Sequence, residues 1–325
     1  MRADRFAGWV PIRVYWEQNS AFVDWGYVGE QRFTDPFFSN TIERCLRSPA
    51  NMLFRHHTPI ETLAEWCEAR PGLSPKGFIF HMSRCGSTLV AQMLAALPRT
   101  VVISEAGPID SVLRANFRDH TLTDDRRAEW LRWMVSALGQ PRTGEETDLF
   151  IKFDCWDTME LGLIERVFPD VPWIFLYRNP VQVMVSQAMR KSAHLIPGVV
   201  EPELFGLDPN AALTFQPEEY SAMVLARICE AALRHHKPDR SMIIDYNHLP
   251  GAVWTSVLGL FRIACTKDDR ERLIHAAQFY SKNPSFHFQD DSEAKNRQAS
   301  REMVQATDRW LSPVYEELQA ATRNS

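Results

Sequence analysis

A short apolar run, Gly77-Phe78-Ile79-Phe80-His81, leads straight into Met82-Ser83-Arg84-Cys85-Gly86-Ser87-Thr88-Leu89. Small residues, a glycine and two hydroxyls where a strand turns into a helix leave backbone N–H groups aimed outward, which is the chemistry of an anion site. It is not a Walker A loop: the Gly-Lys-Ser/Thr ending and its spacing are missing, so magnesium-dependent triphosphate chemistry is disfavoured. Arg84, two residues before the glycine, offers a planar two-pronged donor for a terminal phosphate or sulfate; a surface arginine in a tight turn is the plainer alternative.

Other chemistry-bearing residues stand where apolar runs end. Lys152 closes Leu149-Phe150-Ile151-Lys152-Phe153, and a lysine there is costly to bury without an anionic partner, which favours function over a snorkelling structural role. Asp154 follows it; burial can lift the pKa of a carboxylate, so it is an admissible general base. Glu105 comes directly after Val101-Val102-Ile103-Ser104, ahead of a helix begun by Pro108, where the helix dipole alone would also account for an acidic residue.

These positions need a scaffold, and the chain spells one out. From residue 77, five apolar runs suited to buried parallel strands (77–81, 101–104, 149–153, 172–177 and 241–246) alternate with helical stretches near 87–97, 107–118, 124–138, 157–168, 180–191 and 208–236. The pattern predicts a three-layer α/β domain, residues 73–325, around a central parallel five-stranded sheet. Ligands bind such sheets at the carboxyl ends of the strands, so the residues after each run should converge on one crevice. Residues 1–72 read as a small aromatic-rich N-terminal module. In it Ile12, Val14 and Trp16, then a turn at Gln18-Asn19-Ser20, then Val23, Trp25 and Tyr27 predict a hairpin. Asp35 before Pro36 predicts an N-cap for a helix running toward Arg47, and a second helix is expected near 59–69. The last helix, 312–322, reads as a structural cover.

Arg84-Cys85-Gly86-Ser87-Thr88 after a strand resembles the 5′-phosphosulfate loop of the sulfotransferase family, which more often reads Lys-Ser-Gly-Thr-Thr. Tyr177-Arg178-Asn179-Pro180 through Ser186 is similar to the family's 3′-phosphate motif, an Arg and a Ser eight residues apart. Arg178 ends a strand and Ser186 lies two turns into the next helix, so both can face one phosphate. Lys152-Phe153-Asp154 falls where many members carry Lys-x-His, which implies that Lys152 stabilises the transferring sulfuryl group and leaves Asp154 in the base's place. Glu105 falls where members without the histidine place a catalytic glutamate and is the favoured base, ahead of Asp154; His81, Asp110 or no side chain remain open. Tyr246, in Asp245-Tyr246-Asn247-His248-Leu249, resembles a segment on the adenine side of the nucleotide. Asp290 to Arg297, after Phe286, His287 and Phe288, reads as a lid whose Lys295 and Arg297 are candidates for phosphate contacts or simply a solvated charge run. The resemblance implies a P-loop NTPase-like fold and PAPS (3′-phosphoadenosine 5′-phosphosulfate) as co-substrate, with no metal. It spans roughly residues 77–250 and gives the first 70 no transferable role. A P-loop kinase and a binding module that has lost turnover are the rival readings.

Composition narrows the partners. With 36 basic and 41 acidic residues among 325, the chain has no global field for nucleic acid, so an anionic ligand must be met by local Arg and Lys. The first residues lack the apolar core of a signal peptide and no stretch approaches a membrane span, so a cytoplasmic location and no membrane partner are expected. The six cysteines form no CxxC pair or Cys/His cluster, so apart from Cys85 they read as small buried side chains. The acceptor, a small molecule or a carbohydrate, and a homodimeric state are left open.

Overall fold

The computed structural model describes residues 7–18, 20–280, 283–287 and 297–323. A three-stranded antiparallel sheet of β1 (Trp9–Glu17), β2 (Ser20–Tyr27) and β3 (His56–Pro59) opens the chain. It is followed by the predicted five-stranded parallel sheet of β4 (Pro75–His81), β5 (Thr100–Ser104), β6 (Asp148–Lys152), β7 (Trp173–Tyr177) and β8 (Ser241–Asp245), in the spatial order β5-β6-β4-β7-β8. Strands β5, β6 and β7 are buried at every position. That is why they appear as continuous apolar runs: each has helices above and below it.

Eight helices are numbered here in chain order: α1 (Phe38–Leu46), α2 (Pro49–Leu53), α3 (Thr62–Ala69), α4 (Ser87–Ala95), α5 (Gly107–Leu113), α6 (Asp124–Leu138), α7 (Leu161–Val167) and α8 (Pro180–Met189). From β4 to β5 the chain moves one way across the sheet, and from β5 through β6 and β7 to β8 it moves the other way. Right-handed crossovers therefore put α4 on one face and α5, α6 and α7 on the other. The packing agrees: α4 lies on the helix Lys267–Ala277, whereas α6 packs against α5 and α7, and α7 against Pro217–His235. Helix α6 starts where Thr123 accepts a hydrogen bond from the Arg126 N–H at 3.3 Å, with Asp124 and Asp125 in its first turn. Thr123→Ala should cost about 1 kcal/mol, read as a lower urea midpoint at unchanged slope.

The N-terminal sheet docks on this layer through β1, which packs on α5 and α6, and the two parts share one buried apolar cluster. Arg32 strengthens the join by donating to the Leu97 carbonyl at 2.8 Å and the Thr100 carbonyl at 3.2 Å, beyond the C-terminal end of α4. Three local expectations are corrected. Phe37, not Asp35, is the N-cap of α1; Asp35 sits outside the helix, accepting from the Thr41 hydroxyl at 2.6 Å and pairing with Arg44 at 2.8 Å. Tyr27 is 39% exposed, because it is the last residue of β2, at the sheet's margin. The single helix over 208–236 is broken into Pro209–Ala212 and Pro217–His235, since Pro217 drives Gln216 to an extended ψ of 146°. Among the described residues, no helix is long and apolar enough to cross a membrane.

Candidate active site

The register lines up the strand ends. His81 pairs with Leu176, Ser104 with Lys152, and Tyr177 with Asp245, so the residues just beyond β4 to β8 emerge along one carboxyl edge. At that edge is a cavity of about 400 Å³ lined by Arg84, Cys85, Gly86, Ser87, Thr88, Leu89, Glu105, Asp154, Arg178, Ser186 and Tyr246. Thus eleven positions singled out in the sequence share one wall. Lys152 lies just behind that wall with none of its surface exposed, and Lys295 lies outside the described residues.

The loop after β4 is held in a conformation that most side chains avoid. Ser83, Arg84 and Gly86 all have positive φ (78°, 53° and 83°), the kind of backbone that turns successive N–H groups to one side into a concavity suited to an anion. Neighbours fix it. The Cys85 thiol donates to the Leu176 carbonyl at 3.0 Å, and burial pushes it up to about 12, so it anchors the loop as an inert thiol. The Ser83 N–H donates to His81 Nδ1 at 3.1 Å, and Gln187, fully buried on α8, donates to the Ser83 hydroxyl at 2.8 Å. Arg84 reaches across to donate to the Arg190 carbonyl at 2.6 Å.

Arg178 is almost fully buried, its Nε donating to Gln182 at 2.8 Å and its guanidinium lying 4.1 Å from the centre of the Tyr246 ring. Ser186 opens onto the same cavity two turns along α8. Between these halves stands Glu105, at a φ of 52° with its N–H donating to the Lys152 carbonyl at 2.7 Å. Its carboxylate is paired with Lys152 and lies 3.4 Å from His81 Nε2. Burial resists its ionisation, but the Lys152 ammonium and then His81 outweigh that and hold it well below the usual carboxylate range. Asp154 is pushed the other way, raised well above that range by burial and then by Glu105 and Asp110.

Sequence reasoning missed part of the lining. Phe37 from the N-terminal module, Trp156, His194, Arg190 and Lys191 all line the cavity. His194 is fully buried against Trp156, with ring centres 5.3 Å apart, and burial and then His81 lower it to about 3, so it is neutral. Among the described residues no cluster of His, Cys, Asp and Glu has the arrangement of a metal site.

A model of the sulfotransferase family matches residues 75–252, more than half of the chain, and spans both the loop after β4 and the start of α8. The chain belongs to the sulfotransferase family. Solved structures similar to this sulfotransferase include the sulfotransferase domain from the curacin biosynthetic pathway (18% identity, TM-score 0.42, covering 74% of this chain and 97% of that one). The sulfotransferase domain of the Synechococcus PCC 7002 olefin synthase is 18% identical (TM-score 0.41, 73% and 94% covered). A sulfotransferase from Alicyclobacillus acidocaldarius is 14% identical (TM-score 0.41, 77% and 96%). No curated protein sequence matches this sulfotransferase.

Proposed function

We propose that this sulfotransferase moves a sulfuryl group from PAPS to a hydroxyl or amine, on a P-loop-type scaffold. The observation that carries the reading is that the two elements assigned to the two ends of the nucleotide open onto a single cavity. The N–H groups of residues 83–88 would hold the 5′-phosphosulfate, and Arg178 with Ser186 the 3′-phosphate, beside the Tyr246 ring. The fit is supported by Gly86, where a Cβ would lie 2.7 Å from Leu249 and 3.0 Å from Tyr246, so a chain atom there would close the cradle. PAPS supplies an activated sulfuryl group on a phosphate leaving group. The protein's part is to neutralise charge and orient the acceptor: loop N–H groups and Arg84 face the developing negative charge, while Lys152, buried behind the lining, adds its positive field from there. A carboxylate takes the acceptor's proton. Phe37, Trp156 and His194 form the acceptor side, which suits a small molecule or a sugar with a flat apolar face.

Calorimetric titration with PAP, the desulfated nucleotide, tests this directly. Wild type should bind PAP and ignore Mg-ATP. Arg178→Ala should lose about 2–5 kcal/mol of that binding, roughly 30- to 5,000-fold in affinity, because a desolvated charge loses its partner. Clear Mg-ATP binding without PAP binding would replace this reading with phosphoryl transfer.

A further inference from the structure

Resting on that reading, we propose that Asp154, not Glu105, takes the acceptor's proton, and that Glu105 is a positioning residue that holds Lys152 and His81. Glu105 is committed at its main-chain N–H and at one carboxylate oxygen. Its main-chain N–H bonds to Lys152, and its Oε1 faces both the Lys152 ammonium and His81 Nε2. Lys152 in turn is sealed beneath the Phe37 ring, 5.3 Å from its centre. A carboxylate held this way is a weak proton acceptor. His81 is no better placed: its Nδ1 lone pair accepts from the Ser83 N–H, which puts the ring proton on Nε2, toward Glu105. Asp110 is occupied as well, gripped by Arg114 through two bonds of 2.7 and 2.5 Å and by the Trp156 indole at 2.6 Å.

Asp154 differs in kind. It lines the cavity from the end of β6, and the turn after it is braced: the Asp154 N–H donates to Asp157 at 3.1 Å and the Asp157 N–H to the Asp154 carbonyl at 3.0 Å. The charged groups around it are Glu105 beyond β5, Asp110 on α5 and Arg114 at its C-terminal cap, Lys152 on β6 and Asp157 in its own turn. Burial is the largest influence, and Glu105 and Asp110 add to it, while Lys152 and Arg114 oppose. The balance makes Asp154 the more basic carboxylate at the cavity, as a general base working near neutral pH requires. In the step, the acceptor O–H proton passes to an Asp154 oxygen as the acceptor oxygen bonds to sulfur. The sulfur–oxygen bond to the 5′-phosphate breaks, and its electron pair leaves with PAP. Asp154 then returns the proton to solvent.

The test follows PAP release from PAPS across pH, with water as the acceptor, together with PAP binding by calorimetry. Asp154→Asn should bind PAP as wild type does and turn over about 100- to 10,000-fold more slowly. Glu105→Gln should turn over more slowly than wild type but far faster than Asp154→Asn. Its acid limb should move to lower pH, because removing the neighbouring negative charge makes Asp154 easier to ionise. That shift reads Asp154 even if Asp154→Asn fails to fold. An active Asp154→Asn beside an inactive Glu105→Gln, both still binding PAP, overturns the assignment alone. A wild type that binds no PAP overturns the sulfuryl-transfer reading on which the assignment rests.

Discussion

Lys152→Met should destabilise the protein by about 3 kcal/mol at pH 7, the low end for breaking a buried ion pair, since Glu105 keeps a partial opening to the cavity. The pH dependence gives the effect a signature. In wild type the folded Glu105 carboxyl titrates below its unfolded value of about 4.3, so its stabilisation is complete above that value and is lost only as pH falls through the folded one. Without Lys152, burial raises the same carboxyl, and its charge then costs stability at neutral pH. Urea unfolding should therefore show a gap between variant and wild type that is full at pH 7 and narrows steadily as pH falls through the variant's raised carboxyl toward pH 4. Adding Glu105→Gln should restore most of the loss. A gap that is the same at pH 7 and pH 4, or is untouched by the second substitution, would mean that the pair is not what the lysine contributes.

Gly86→Ala should weaken PAP binding by roughly 10- to 100-fold and lower stability by about 1–3 kcal/mol. Two causes add: a φ of 83°, and a Cβ only 2.7 Å from Leu249 and 3.0 Å from Tyr246. The second cause is the functional one, because Tyr246 is the ring against which Arg178 lies. Gly144 is the control. It has the same kind of backbone, φ 85°, with open space around its side, so Gly144→Ala should show the backbone cost and leave PAP binding alone. Equal losses of PAP affinity in the two variants would remove the crowding explanation.

The sheet was legible because parallel strands buried on both faces leave uninterrupted apolar runs, and all five ended within one residue of where the runs placed them. The cavity-lining residues read from the sequence were legible for a related reason: each sits in the first turns after such a run. Less could be read where contacts are made by residues far apart in the chain. β3, His56–Pro59, carries no alternating apolar pattern, since two of its four residues are exposed at the edge of a small sheet. Phe37 enters the cavity only because the N-terminal sheet docks on α5 and α6, which no local pattern announces. The Lys152–Glu105 pair needed the fact that β5 and β6 are neighbours in the sheet with Ser104 level with Lys152. From the sequence alone both looked like independent catalytic groups; their adjacency is what separates their roles.

The way the phosphate loop is tied to the segment after α8 bears on how such an enzyme can diverge. Arg84 grips the carbonyl of residue 190, and Gln187 links the Ser83 hydroxyl to the N–H of residue 192. Both ties end on main-chain atoms, which every non-proline residue supplies. Side chains at 190, 191 and 193 can therefore be exchanged without loosening the loop after β4, leaving this stretch free to vary while the loop stays fixed.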